Sequence, residues 1–187
     1  MTAMPALSDD HVLSTTRHWL ERAVIGLNLC PFAKAVHVKR QIRYCLCPAT
    51  DTGTLCAALR AELLALQAAN PAQIDTTLLI HPFVLDDFHD YNDFLSRADA
   101  LVAELGLDGE IQIASFHPRY QFAGTEPTNV ENNSNRSPWP MLHLLRESSI
   151  DAAVAAFPDA AEIYNRNIAT LEQLGSDGWA RLMNERR

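Results

Sequence analysis

Between Asp10 and Asn28 the apolar residues Leu13, Leu20, Val24 and Leu27 return at helical spacing, with Ser8 or Asp9 as the N-cap and Pro31 as the stop. Gln41 to Cys47 has strand character. Thr50 or Asp51 then opens a second helix whose inward stripe is Leu55, Leu59, Leu63 and Leu66, and Ala69-Asn70-Pro71 ends it. Ile74 to Ile80 becomes continuously apolar toward its end, the pattern of a strand covered on both faces, and His81-Pro82 closes it. A third helix is predicted from Asp90 to Leu105, showing Phe94, Ala98, Leu101 and Leu105 on one side, with Gly106 suited to a left-handed cap. Glu110 to Phe116 reads as a third strand, closed by His117-Pro118. Helices are expected near 138–147, 149–157 and 159–175.

Strands linked by helices favour parallel pairing with right-handed crossovers. The expected fold is therefore α/β, a small parallel or mixed sheet in β-α-β-α-β order with an N-terminal helix and C-terminal helices. An added edge strand near Tyr120–Phe122 would make the sheet mixed, and a ferredoxin-like α+β arrangement is the alternative. Two strand endings look alike, Leu79-Ile80-His81-Pro82-Phe83 and Ser115-Phe116-His117-Pro118-Arg119. In parallel strands both histidines emerge at the carboxyl edge of the sheet, where α/β proteins place ligand crevices.

Composition narrows the picture. A chain of 187 residues that is 48% hydrophobic and 20% charged fits a single domain over 1–187, with its core in about 10–175 and short flexible termini. Apolar runs such as Leu78-Leu79-Ile80 are too short to cross a bilayer, and residues 1–18 lack a secretory pattern, so a soluble cytoplasmic protein with no membrane partner is expected. Cys30, Cys45, Cys47 and Cys56 are then reduced thiols, with Cys45 and Cys47 on one face of a strand. A formal charge of −8 disfavours nucleic acid and favours small molecules or proteins as partners. The basic cluster Lys34, His37, Lys39, Arg40 and Arg43 reads as a solvated connection.

Candidate chemistry gathers around the long polar segment 116–147, since long loops in compact domains tend to carry function. His81, His117 and His143 form one constellation, with Cys30 as a fourth member. Imidazoles and a thiolate suit a divalent transition metal such as zinc, iron or copper, and a site with an open position would activate water. The competing reading makes each histidine a hydrogen-bonded structural residue. Cys30 is either a nucleophile paired with His81 or His117, the centre of a thiol-dependent redox protein, or a small core residue. In Asn135-Arg136-Ser137-Pro138, Ser137 and Pro138 have the chemistry of a helix start. Backbone donors there, with Arg136 and then Arg146, would hold a phosphate or carboxylate, unless Arg136 merely pins the loop. On the expected helix, His143 and Glu147 share a face as acid–base equipment or as an exposed pair. Asn132, Asn133 and Asn135 are expected to build turns, and Tyr120, Phe122 and Trp139 to anchor the loop.

Taken together, Leu29-Cys30-Pro31-Phe32-Ala33, Phe116-His117-Pro118 and Asn135-Arg136-Ser137-Pro138-Trp139-Pro140, followed by Leu142-His143-Leu144-Leu145-Arg146-Glu147, resemble the bacterial domain-of-unknown-function family DUF1415 over roughly residues 10–175. The resemblance implies one intact domain and marks Cys30, His117, Arg136 and His143 as signature positions. It implies no reaction. The leading expectation is a small hydrolase or group transferase acting on an anionic small molecule through His117, His81, His143, Arg136 and Arg146. The alternative is a noncatalytic ligand-binding or assembly domain.

Overall fold

A computed structural model of the chain describes residues 7–156 and 162–184. Helix α1 (Asp9–Trp19) starts where the Ser8 hydroxyl accepts the His11 amide, and Asp9 and Asp10 complement the positive end of its dipole. It widens into a π-helical segment, Leu20–Ile25, before the chain turns at Asn28 in a left-handed conformation. Then follow α2 (Ala33–Val38), β1 (Ile42–Leu46), α3 (Thr52–Ala68), β2 (Thr76–Ile80), α4 (Phe88–Glu104) and β3 (Ile111–Phe116). Asp51 caps α3 and Asp87 caps α4, each accepting amides of the first turn. Gly106, at φ 68°, supplies the left-handed residue after α4. A 3-10 turn (Val130–Ser134) lies within the long loop, and β4 (Met141–Arg146), α5 (Glu147–Ala155) and α6 (Ile163–Asn184) complete the chain.

The four strands lie in the order β1-β2-β4-β3. β1 and β2 are parallel, and β4 runs antiparallel to both its neighbours, so β1, β2 and β3 share one direction. The fold is thus α/β with a mixed sheet, but the antiparallel strand is not the expected one. Residues 120–122 form no strand, and the helix predicted over 138–147 is instead β4, inserted in the middle of the sheet. Two strands in succession at the end, rather than in the middle, also exclude the ferredoxin-like order. The last helix runs beyond residue 175 to Asn184, with a break at Gly175, whose φ of 66° suits a residue without a Cβ. The expected junction of the final helices at 157–161 lies outside the described residues, as do 1–6 and 185–187.

Helices cover both faces, and each strand therefore contributes to two cores. On one face Leu79, Leu142, Leu144 and Ile111 pack against Leu55, Leu59, Leu63 and Leu66 of α3 and Tyr91, Phe94, Ala98 and Leu101 of α4. Cys45 and Cys47 share this face, as their spacing predicts. On the other, Leu78, Ile80 and Met141 meet Val12, Trp19, Leu20, Ala23 and Val24, with Trp179 and Leu182 of α6 alongside. Two indoles bind α1 to the long loop: Trp19 Nε1 donates to the Arg136 carbonyl and Trp139 Nε1 to the Thr15 hydroxyl, both at 2.9 Å. No described helix is long and apolar enough to cross a membrane.

Candidate functional site

His81 and His117 follow directly on β2 and β3, whose common direction brings them to one end of the sheet. Both are fully buried. Tyr91 of α4 lies between them, its ring 5.9 Å from His81 and 5.0 Å from His117. The Tyr91 hydroxyl donates to the Met141 carbonyl at 2.7 Å and accepts the Phe116 amide at 3.1 Å, joining β4 to β3 where their ladder ends. Burial pushes its pKa up, so it stays a neutral donor.

The two imidazoles hold the loop between β2 and α4. His81 Nδ1 donates to the Val84 carbonyl at 3.0 Å, His117 Nε2 to the Leu85 carbonyl at 3.1 Å, and Arg119 Nη2 to the Asp86 carbonyl. Three successive carbonyls are thus each taken by a side chain from a strand end. Leu85 sits at φ 61°, a strained conformation for a leucine that such a clamp sustains. His117 Nδ1 also accepts the Arg119 amide at 3.0 Å, so both of its nitrogens are occupied and its tautomer is fixed. Burial lowers the pKa of His117 and pushes that of His81 down to about 4, keeping both neutral. His81 Nε2 is a buried lone pair with no partner among the described residues.

The third histidine stands elsewhere. In β4, His143 pairs with Leu78 and Ala114 and faces Phe116, on the α1 side of the sheet and opposite to His81 and His117. Its Nε2 lies 2.6 Å from the Thr76 hydroxyl, which itself donates to the Leu144 carbonyl. Thr76 therefore accepts and His143 donates. Burial takes the pKa of His143 to about 4. The sheet thus separates the expected three-histidine metal site, and no group of three or more His, Cys, Asp or Glu is placed to hold a metal ion among the described residues. Cys30 packs on the α1 side too, away from both strand-end histidines, and burial raises its thiol pKa. His143 and Glu147 do not share a helix face: one is in β4, while the other begins α5 with its amide on the Glu110 carbonyl.

The arginines also have defined seats. Arg146 turns its Nη2 to the Leu66, Ala69 and Ile74 carbonyls, closing the C-terminal end of α3 rather than extending an anion clamp. Arg136 holds the long loop from within. Its Nε donates to the Tyr120 carbonyl at 3.1 Å, Nη2 to the Pro127 carbonyl at 2.7 Å and Nη1 to Asn133 Oδ1 at 3.4 Å. All these acceptors are neutral, and no carboxylate pairs with Arg136 among the described residues. Asn135 donates to the Ser115 carbonyl and accepts the His117 amide, tying the loop to the outer edge of β3. Ser137 is buried and donates to the Trp139 carbonyl at 2.6 Å; it caps no helix, because a strand follows. Asn132 reaches further than a local turn and clamps the loop across itself, its Oδ1 accepting the Phe122 amide and its Nδ2 donating to the Glu126 carbonyl. Arg136, Ser137, Asn133, Pro118, Pro138, Trp179 and Met183 line a cleft of about 300 Å³ between the loop and α6.

A larger open cleft of about 610 Å³ lies between α3 and α4, near the carboxyl ends of β1 and β2, bordered by Thr52, Cys56, Asp90, Asp93 and Arg97. Sequence reasoning singled out none of these for chemistry, nor Tyr91, Thr76 or Arg119. Their signal is position: Arg119 follows a strand end, Thr52, Cys56, Asp90, Tyr91 and Asp93 lie in the first turns of α3 and α4, and Thr76 and Arg97 carry no such mark.

Comparison with curated proteins and with solved structures gives no match. The sequence profile of the family described as protein of unknown function (DUF1415) matches residues 11–181, nearly the whole of the two-faced sheet and its helices, and the chain belongs to that family.

Proposed function

We propose that this chain is a noncatalytic binding domain for a small aryl anion, seated in the cleft between the long loop and α6. The observation that carries this reading is Arg136, a half-buried guanidinium whose hydrogen bonds all go to neutral oxygens. Burial disfavours its charge, and a ligand phosphate or carboxylate would supply the missing countercharge. Arg136 has five N–H groups and three are used, which leaves donors for an anion. Trp179, Met183, Pro118 and Pro138 offer apolar walls for a flat ring. The noncatalytic reading is favoured over hydrolysis or group transfer because His81, His117 and His143 each donate a ring N–H to an oxygen of the fold, and both ring nitrogens of His117 are engaged.

Phenyl phosphate, benzoate and inorganic phosphate are the probes, read by thermal unfolding and by tryptophan fluorescence. A binding aryl anion at a hundredfold its Kd stabilises the fold by about 2.7 kcal/mol, with no turnover. Trp179→Leu removes a wall without touching the loop bonds and should weaken phenyl phosphate about tenfold while leaving inorganic phosphate unchanged. The reading fails if no anion shifts the unfolding of the wild-type chain, or if Arg136→Gln, shown to be folded, binds as well as the wild type.

A further inference from the structure

β1 is an edge strand, and its bonding pattern leaves three residues facing outward. The Gln41 carbonyl accepts the Thr76 amide and the Cys47 amide donates to the Ile80 carbonyl, so Gln41, Arg43, Cys45 and Cys47 turn their backbone groups toward β2. Ile42, Tyr44 and Leu46 turn theirs away, and no backbone group meets them among the described residues. The opposite edge is different: the end of β3 is covered by Asn135, which binds the Ser115 carbonyl and the His117 amide. β1 is thus the edge whose outward groups, those of Ile42, Tyr44 and Leu46, are all unpaired among the described residues, whereas β3 is covered in part.

Charge around it runs against the rest of the molecule. Residues 11–50 carry six Lys and Arg (17, 22, 34, 39, 40 and 43) and one acidic residue, Glu21, whereas the whole chain has 15 basic against 23 acidic residues. Lys39 and Arg40 stand at the start of β1 and Lys34 on α2; all three are exposed and none has a carboxylate partner among the described residues. Arg17 lies over the Tyr44 ring, 5.1 Å from its centre. A cationic rim on an open edge repels its own copies, since pairing β1 with β1 would bring Lys39 and Arg40 against the like charges of a second chain.

From this edge and its charge we infer that β1 takes up an acidic, extended peptide of a partner protein as a fifth strand. The peptide backbone satisfies the outward amides and carbonyls of Ile42, Tyr44 and Leu46, and its carboxylates meet Lys39, Arg40 and Lys34. A nucleic acid meets the charge but offers no amide ladder.

The test uses the full chain and a fluorescent peptide of alternating glutamate and valine, followed by anisotropy. The acidic peptide should bind, and N-methylating alternate amides should weaken it about tenfold or more, because methylation removes the ladder and leaves the charge. Lys39→Glu with Lys34→Glu, both at exposed positions, should weaken binding by a similar factor, as should raising salt toward about 1 M, where the screening length shrinks to about 3 Å. Amide exchange at Ile42, Tyr44 and Leu46 should slow on binding. Equal affinity for the N-methylated peptide, preference for a single-stranded RNA oligomer, or absence of peptide binding would each overturn the inference.

Discussion

Tyr91 shows how one side chain is asked to do two jobs at the end of the sheet. Its hydroxyl both gives and receives a hydrogen bond at a point where β3 and β4 part, and its ring separates two neutral imidazoles. Tyr91→Phe keeps the packing and strands the Met141 carbonyl and the Phe116 amide, so urea unfolding should show a loss of about 1–3 kcal/mol with an unchanged denaturant slope. His81 predicts a pH dependence. Its pKa falls from the ordinary 6.5 to about 4 on folding, so the unfolded chain binds the proton more readily in that interval. Stability is then full above pH 6.5 and declines as pH falls toward 4, by about 3 kcal/mol from this residue. His117 and His143, also lowered, act in the same direction. Urea midpoints measured from pH 7 to pH 4 should trace this slope, and His81→Phe, which cannot titrate, should make it shallower while His117 and His143 keep the remainder.

Elements with a one-sided pattern were legible in the sequence. The leucine stripe of α3 and the Phe94-Ala98-Leu101 stripe of α4 are buried as their spacing predicts, and the strands ending at Ile80 and Phe116 stand where their closing His-Pro pairs put them. β4 was not legible, for a physical reason. Like β2 it is covered on both faces and shows no two-residue alternation, but where the β-branched Thr76, Thr77 and Ile80 mark β2 as a strand, Met141-Leu142-His143-Leu144-Leu145 has no β-branched residue, and leucine favours helices when nothing else decides. Pairing with β2 on one side and β3 on the other overrides that preference. The serine and proline before it, which resemble a helix start, serve the loop instead. Arg146 is a second case in which element context decides the role. It closes α3 from a strand, so Arg146→Met should destabilise the fold by about 1–3 kcal/mol while leaving aryl-anion binding unchanged, as thermal unfolding with and without phenyl phosphate would report.

For the molecule as a whole, the direction of the strands was the readable part of the site and the face of each residue was not. His81 and His117 share a sheet end because β2 and β3 are parallel in direction, whereas His143 is lost to the other face because a strand alternates its side chains and a helix does not. The same geometry gives His81, His117 and His143 oxygens of the fold as partners and sets Arg136, bonded to neutral oxygens, beside the cleft between the loop and α6, where the proposed ligand is placed.

The position of β4 also dictates a timetable. The strand at the middle of the sheet is the last one to leave the ribosome, and β2 and β3 do not touch without it. Trp19 and Thr15 wait still longer in sequence terms, since their partners Arg136 and Trp139 lie 117 and 124 residues downstream. A nascent chain that has emerged only to Ser134 therefore leaves unpaired the edges of β2 and β3 that β4 will cover and lacks the loop partners of α1, and it should stay sensitive to protease until the next dozen or so residues emerge.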